Sequence, residues 1–152
     1  MGSEKDNNLK STNGDGSSRR ILVVSRVGCV GDLCRQLQTE GHHVRYFIES
    51  KGDKDVSDGF VEKTDDWKAL RAWADLVIFD DSDFGRDAEA LRRDGKPVVG
   101  GTVYTDRLED DRDFGQQEMK AAGMTILPNW TFTSFEEAVA FVKKNPDRYV
   151  VK

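Results

Sequence analysis

The sequence predicts an α/β fold in which a doubly wound parallel sheet comes first in the chain. Short apolar runs of strand length, such as "ILVVS" and "DLVIF", recur along it. Amphipathic segments of helix length lie between these runs, and several of them end in glycine. Parallel strands need a crossover of about a dozen residues, which this alternation supplies.

The first elements follow that alternation in order. Residues 1–19 are rich in Gly, Ser, Asn and charge, which predicts a disordered arm. "ILVVS" predicts a first strand covered on both faces. "GDLCRQLQTEG" predicts a helix with Leu33, Cys34 and Leu37 on one face and Gly41 at its exit. "HVRYFIE" predicts the second strand.

The next segments complete a predicted α/β domain over residues 20–101. "TDDWKALRAWA" predicts a helix with a Thr or Asp cap and an apolar stripe. That stripe comprises Trp67, Leu70 and Trp73 or Ala74. "DLVIFDD" predicts the third strand, "DAEALRRDG" another helix and "KPVVGG" a short fourth strand.

The pattern changes after the fourth strand, and residues 102–152 predict a second unit. "TVYTDRLEDDRDFGQQEMKAAGM" predicts one long polar helix that closes at Gly123, and "TILPNWTF" an extended segment. "SFEEAVAFVKKN" predicts a helix with a capping box of Ser134 and Glu137. Its apolar stripe comprises Phe135, Ala138, Val139 and Val142. "RYVVK" predicts a final strand that ends on Lys152.

Composition narrows the classes of partner. Charged residues make up 34% of the chain and the net charge is -5, without a long run of either sign. Nucleic acid and membrane surfaces are therefore not expected partners. No apolar stretch approaches the ~20 residues that span a bilayer, and the N-terminus lacks the apolar core of a signal peptide. We expect a cytoplasmic protein in which Cys29 and Cys34 are reduced structural thiols.

The turn after the first strand, "SRVGCVGD", is a candidate phosphate site. Arg26 stands in the place of the first glycine of a GxGxxG turn, and Gly28 and Gly31 match the other two. Backbone N–H groups at the start of the following helix would bind an anion. In the alternative interpretation the turn has no ligand and Asp32 caps the helix. Glu49 ends the second strand, where dinucleotide-binding folds have a ribose-binding carboxylate.

The segment "FDDSDFG" after the third strand is a second candidate site. Asp80, Asp81 and Asp83 would hold magnesium, present an aspartate for phosphorylation, or cap the next helix. A phospho-receiver domain would also need an acidic pair after the first strand. Ser25 and Arg26 occupy that place, which disfavours the receiver interpretation.

The order of these segments resembles the front of the ATP-grasp ligases, and in particular the phosphoribosylamine–glycine ligase family of purine biosynthesis. The similar segments are "RILVVSRVGCVGDLCRQLQTEGHHV", "WADLVIFDD", "GKPVVGGT", "LEDDRDFGQQEMKAAGMTILPNWTFTSFEEAVAFV" and "YVVK". They extend from Arg20 to Lys152. The resemblance implies a Rossmann-like pre-ATP-grasp domain followed by the start of an ATP-grasp unit.

The resemblance also implies ligands and roles. Gly28 and Gly31, together with Gly100 and Gly101, would lie near the phosphate of a phosphoribosyl substrate. The small-molecule substrate itself stays open, because this chain differs from the family where the family recognises it.

ATP and Mg²⁺ are the cofactors that the resemblance implies for the complete enzyme. Arg112 and Lys152 would contact ATP. The magnesium carboxylates of the family lie beyond Lys152, so we expect this chain to need the missing ATP-grasp portion and to be inactive alone. An unpaired strand at "YVVK" favours this interpretation.

Two other classes of protein are also compatible with these motifs. One is a stand-alone module that binds a phosphometabolite or nucleotide without catalysis. The other is a fragment of a dinucleotide-binding oxidoreductase that uses Glu49.

Overall fold

The structure, a computed structural model, describes residues 17–151. Strands and helices alternate through its first part, as the sequence predicts. The strands are β1 (Arg20–Ser25), β2 (His43–Ile48), β3 (Leu76–Phe79) and β4 (Val98–Val99). The α-helices are α1 (Gly31–Thr39), α2 (Gly85–Arg93), α3 (Val103–Asp110), α4 (Arg112–Ala121) and α5 (Phe135–Lys144), and a short 3₁₀ turn covers Lys51–Asp53.

The four strands form one parallel sheet in the order β2-β1-β3-β4. Ile21 of β1 is in register with Val44 on one side and with Leu76 on the other. The chain moves outward from β1 to β2 and then returns to the opposite side of β1 as β3. The direction of winding therefore reverses between β1 and β3, and open α/β sheets bind ligands at the carboxyl ends of strands at such a point.

Apolar side chains cover both faces of the sheet, because successive residues of a strand point to opposite sides. One core cluster contains Ile21, Val23, Cys34, Val44, Tyr46, Ile48 and Val61. The other contains Leu22, Val24, Trp67, Ala74, Val77, Phe79, Phe84, Ala88 and Leu91. Helix α1 contributes to the first cluster and α2 to the second, which confirms the predicted α/β class. Leu33, predicted on one helical face with Cys34 and Leu37, is 41% exposed, whereas Cys34 is fully buried.

The helix predicted over "TDDWKALRAWA" is wrong, since these residues form a series of turns. The predicted cap is present: the Asp66 carboxylate accepts hydrogen bonds from the amides of Lys68 and Ala69. Short-range bonds then replace a regular helix, as where the Leu70 amide donates to the Trp67 carbonyl. Trp67 is buried with its ring edge-on to Phe79, at 5.4 Å between centroids. Burial of this large ring takes precedence over helical periodicity.

The predicted long helix is two helices, α3 and α4, which separate at Asp111. Asp111 has an extended backbone, and its carboxylate accepts a hydrogen bond from the Phe114 amide at 3.0 Å. Gly115 lies so close to the previous helix that a Cβ there would be 2.6 Å from the Leu108 carbonyl oxygen. The capping aspartate and this close approach explain the break. Gly123, with φ of +79°, follows α4 as predicted.

Contacts divide the chain into one compact unit that extends to Gly115 and a second that begins at Gln116. In the second unit, the Ser134 hydroxyl accepts a hydrogen bond from the Glu137 amide and caps α5, as predicted. Of the predicted apolar stripe of α5, Ala138 and Val139 are half-buried, whereas Phe135 is 78% exposed and Val142 is exposed as well. Phe141 lies inward instead, and its aromatic neighbours are Trp130, Phe132 and Tyr149.

The strand predicted at "RYVVK" is wrong for residues 148–151, which have no regular secondary structure. Val150 and Val151 are 87% and 83% exposed, and no neighbouring strand pairs with them. Lys152 and residues 1–16 lie outside the described residues. Of the predicted arm 1–19, Ser18 donates a hydrogen bond to the Gly41 carbonyl. No helix within residues 17–151 has the length and apolar character needed to cross a membrane.

Candidate functional site

A hydrogen bond joins the carboxyl ends of β1 and β3, where the winding of the sheet reverses. The Ser25 hydroxyl donates to Oδ2 of Asp80 at 2.8 Å and accepts from the Gly28 amide at 2.8 Å. Ser25 is fully buried. The glycine turn predicted to bind phosphate is therefore fixed directly to the acidic segment that follows β3.

Asp80 is a carboxyl group in a partly buried setting. Burial raises its pKa above the ordinary value, the hydrogen bond from Ser25 opposes that shift, and the negative charge of Asp81 adds to it. Its second oxygen, Oδ1, is buried and has no hydrogen-bond partner among the described residues. Ionisation of Asp80 is thus less favourable than that of an exposed aspartate.

Two more polar side chains lie below the turn. Tyr46 of β2 is fully buried, and no residue of the described chain makes a hydrogen bond to its hydroxyl. Burial raises its pKa, while the Ser25 side chain and the Val30 backbone act to lower it, so its hydroxyl lies next to both. Burial, with a contribution from the Asp80 charge, raises the pKa of the Cys34 thiol to about 12. Cys34 is therefore an inert, protonated thiol at neutral pH.

The glycines of the turn make room for another part of the same unit. Gly28 has φ of +87°, and a Cβ there would be 3.0 Å from Cγ1 of Val56. A Cβ at Gly31 would be 2.1 Å from the hydroxyl oxygen of Ser57. Both glycines therefore permit the close approach of the segment that follows β2. The start of α1 has no side-chain cap, and Asp32 lies in its first turn rather than capping it.

Arg26 is already engaged by carboxylates. Its guanidinium lies 2.5 Å from Asp83 and 3.5 Å from Glu49, and these contacts, chiefly the hydrogen bond with Asp83, raise its pKa. The side chain is 41% exposed, so a ligand can reach it. Glu49, the candidate ribose-binding residue, has the same arginine as its partner.

The Gly100–Gly101 segment follows β4 at the same edge of the sheet. Arg92 of α2 donates hydrogen bonds to the carbonyls of Gly100 at 2.6 Å and of Gly101 at 2.7 Å. A Cβ at Gly100 would be 3.1 Å from Cβ of Phe79, which explains the absence of a side chain there. The sequence did not reveal the role of Arg92, because any arginine in the last turn of a helix favours the helix dipole without a tertiary role.

An acidic crevice of about 230 Å³ opens beside Asp80. Its lining residues are Phe79, Asp80, Asp81, Ser82, Gly101, Thr105, Asp106 and Glu109. Three predicted site residues, Gly101, Asp80 and Asp81, line the crevice together. Helix α3 adds the carboxylates of Asp106 and Glu109, which the sequence analysis did not identify. Asp83 is not part of the lining, since it pairs with Arg26.

The crevice does not fit a magnesium ion. Asp106 Oδ2 accepts a hydrogen bond from the Gly85 amide at 2.8 Å, and Asp81 Oδ1 accepts one from the Ser82 amide at 2.9 Å. Within residues 17–151 there is no group of three or more potential ligands arranged to hold a metal. These carboxylates are used for helix starts and turns, and we derive no chemical step through Mg²⁺.

The contacts predicted between ATP and the pair Arg112 and Lys152 stay a prediction. Arg112 is exposed at the first residue of α4, and Lys152 lies outside the described residues. We therefore derive no step through ATP.

No family model matches this chain, and a search of curated proteins finds no match. The geometry of the site and the order of the sequence motifs are therefore the basis on which a function is proposed.

Proposed function

We propose that this chain is the N-terminal portion of an ATP-grasp carboxylate–amine ligase resembling phosphoribosylamine–glycine ligase. Its α/β unit would bind a phosphate-bearing small molecule at the turn containing Gly28 and Gly31. The observation that carries the proposal is the start of α1, which lacks a side-chain cap and lies directly after β1 where the winding reverses. An uncapped helix start at this place would offer its first backbone N–H groups to an anion.

Arg26 and the Gly100–Gly101 segment support this proposal. The guanidinium of Arg26 is partly exposed and pairs with two carboxylates. A bound phosphate would take the place of these carboxylates as the partner of Arg26. Gly100 and Gly101 follow β4, the strand next to β3, and so supply a backbone without side chains at the same edge. In ligases of this class, ATP converts a carboxylate into an acyl phosphate that an amine then attacks. The resemblance places the magnesium carboxylates of the family after the position of Lys152, so our proposal is that the chain alone is inactive.

A second candidate is a stand-alone module that binds a phosphometabolite or nucleotide without catalysis. It is favoured by the buried apolar clusters on both faces of the sheet, within the unit that ends at Gly115. Such a module would hold its ligand at the same turn and would need neither ATP nor a partner portion.

Titration calorimetry with ribose 5-phosphate, ribose and inorganic phosphate tests the phosphate site. We expect ribose 5-phosphate to bind and ribose to bind at least tenfold more weakly, since the phosphate carries the charge-assisted contacts. Arg26→Gln should weaken ribose 5-phosphate binding about tenfold. Arg35→Gln removes the same charge from an exposed position of α1 and should leave the affinity within about twofold.

Two results would count against the proposal. If Arg26→Gln and Arg35→Gln lose equal affinity for ribose 5-phosphate, the effect comes from net charge and not from a contact with Arg26. If ribose and ribose 5-phosphate bind with equal affinity, the turn is not a phosphate site. A ligation assay addresses the other half of the proposal: ATP-dependent turnover by this chain alone would show that the catalytic machinery is not missing.

A further inference from the structure

The segment of residues 50–60, which we call the lid, covers the turn where the phosphate is proposed to bind. Val56 lies against Gly28, and the Ser57 hydroxyl oxygen would be 2.1 Å from a Cβ at Gly31. Gly31 is the first residue of α1, whose start has no side-chain cap. Ser57 therefore crowds the space that an anion bound to this helix start would need.

Tyr46 is an independent sign that the start of α1 receives a ligand. Its side chain is fully buried, its hydroxyl has no hydrogen-bond partner among the described residues, and it lies next to the Val30 backbone. Val30 is the residue immediately before α1. The Ser25 side chain and the Val30 backbone lie beside this hydroxyl without making a well-formed hydrogen bond to it, and an anion bound at the start of α1 would offer it an acceptor.

The lid is held by polar contacts outside the two core clusters. Lys63, a partly buried residue, pairs with Asp58 and donates to the Lys54 carbonyl, and Lys54 lies 3.7 Å from a fully exposed Asp65 carboxylate. The exposed Lys54–Asp65 pair contributes little to stability, and loss of the Lys63 contacts would leave the core clusters intact.

The conformation of the lid also depends on backbone geometry that only glycine adopts freely. Gly59 has φ of +84°, and Ser57 has φ of +67°, which is unfavourable for a residue with a side chain. The amide of Ser50 donates to the Arg26 carbonyl at 2.8 Å and fixes the beginning of the lid to the turn. This attachment and the bridge that joins Lys63 to Tyr46 fix the two ends of the lid.

We propose that the lid is a gate, closed in this structure, that excludes phosphate from the start of α1 and must move before phosphate binds. This inference rests on the proposed phosphate site. The closed lid and the bound anion compete, so any change that raises the free energy of the closed lid alone increases the affinity for phosphate.

Gly59→Ala, with Gly41→Ala as its control, tests this competition. Both glycines have positive φ, +84° and +93°, and a Cβ at either would have nothing within 4 Å. The two variants thus carry the same kind of backbone strain, one in the lid and one at the exit of α1. With inorganic phosphate as the probe, we expect Gly59→Ala to bind about fivefold more tightly than wild type and Gly41→Ala to bind equally.

Ser57→Gly gives the same test without added strain. The change removes the hydroxymethyl group beside Gly31 and makes the positive φ at residue 57 favourable, so the protein should fold at least as well as wild type. We expect tighter phosphate binding. Hydrogen exchange of the wild-type amides of Val56 and Val61, which donate to carbonyls within the lid, should become faster on addition of phosphate but not of potassium chloride at equal ionic strength.

The outcomes separate the lid from the site beneath it. Phosphate binding that is equal in wild type, Gly59→Ala and Ser57→Gly would overturn the lid and leave the phosphate site standing. Absence of phosphate binding in all of them, Ser57→Gly included, would overturn the phosphate site and the lid together.

Discussion

At the scale of single residues, Ser25 determines how the candidate site is built. Its buried hydroxyl uses its donor on Asp80 and an acceptor site on the Gly28 amide. A hydroxyl group supplies both functions in one small side chain, which a carboxylate or an alanine would not do here. The sequence did place Ser25 and Asp80 at the ends of their strands, but the bond between them requires β1 and β3 to be neighbours, a fact of topology.

Asp80→Asn should change how stability depends on pH. Because burial raises the pKa of Asp80 in the folded state, ionisation opposes folding. This penalty is absent below the ordinary aspartate pKa of about 3.9. It grows as the pH rises through the folded-state pKa and then stays constant. Asparagine cannot ionise and keeps an acceptor for Ser25, so the variant should gain unfolding free energy over wild type between about pH 4 and pH 7.

Urea unfolding at a series of pH values measures this effect. Asp55→Asn, a change at an exposed aspartate, is the control and should give a curve parallel to that of wild type. A parallel curve for Asp80→Asn as well would mean that Asp80 does not titrate differently in the folded state.

At the scale of elements, the sequence correctly predicts the helices that end in glycine and the strands that are buried on both faces. Its predictions are wrong where individual side chains change the path of the backbone. The strands β1, β2 and β3 and the helices α1 and α2 are where the patterns indicate. The failures have local causes: burial of the Trp67 ring, and a second cap at Asp111 inside a continuous helical pattern. Residues 148–151 have the composition of a strand, but a strand also needs a neighbour, which composition does not reveal.

The break between α3 and α4 should depend on Asp111. Its carboxylate accepts from the Phe114 amide and pairs with Arg107, and the first of these is the main reason that its pKa is lowered. Asp111→Ala removes this cap and should lower the unfolding free energy measured by urea unfolding at pH 7. A lowered folded-state pKa means that the contribution is present above the ordinary pKa and is lost as the pH falls through the folded-state value, so the difference should shrink in acid.

Asp110→Ala is the matched control for that change. The pKa of Asp110 is raised, first by burial and then by the nearby charge of Asp83, so its ionised form is not favoured by the fold. Its removal should leave stability unchanged or slightly higher in urea unfolding at pH 7. A loss of equal size in both variants would mean that the cap at Asp111 has no special role.

At the scale of the whole molecule, the two compact units have different kinds of core. The first buries a sheet on both faces, and its largest fully buried side chains include Tyr46, Leu22 and Ile48. The second has one aromatic cluster around Phe141, while Leu127 and Phe135 are 82% and 78% exposed. Much less apolar surface is buried in the second unit, so its own stability should be low.

Amide hydrogen exchange should therefore separate the two units. We expect the amides of α5 to exchange at least about 100-fold faster than those of β1, because isolated helices shorter than ~12–15 residues are marginal in water. Phe141→Ala should accelerate the exchange of α5 further, since the ring lies 5.0 Å from Trp130 and 5.2 Å from Phe132 between centroids. Phe135→Ala, on the exposed side of the same helix, should not, and neither change should affect β1. Protection of α5 equal to that of β1 would mean that the second unit unfolds only together with the sheet. The stability of the second unit would then be higher than its small buried apolar surface suggests.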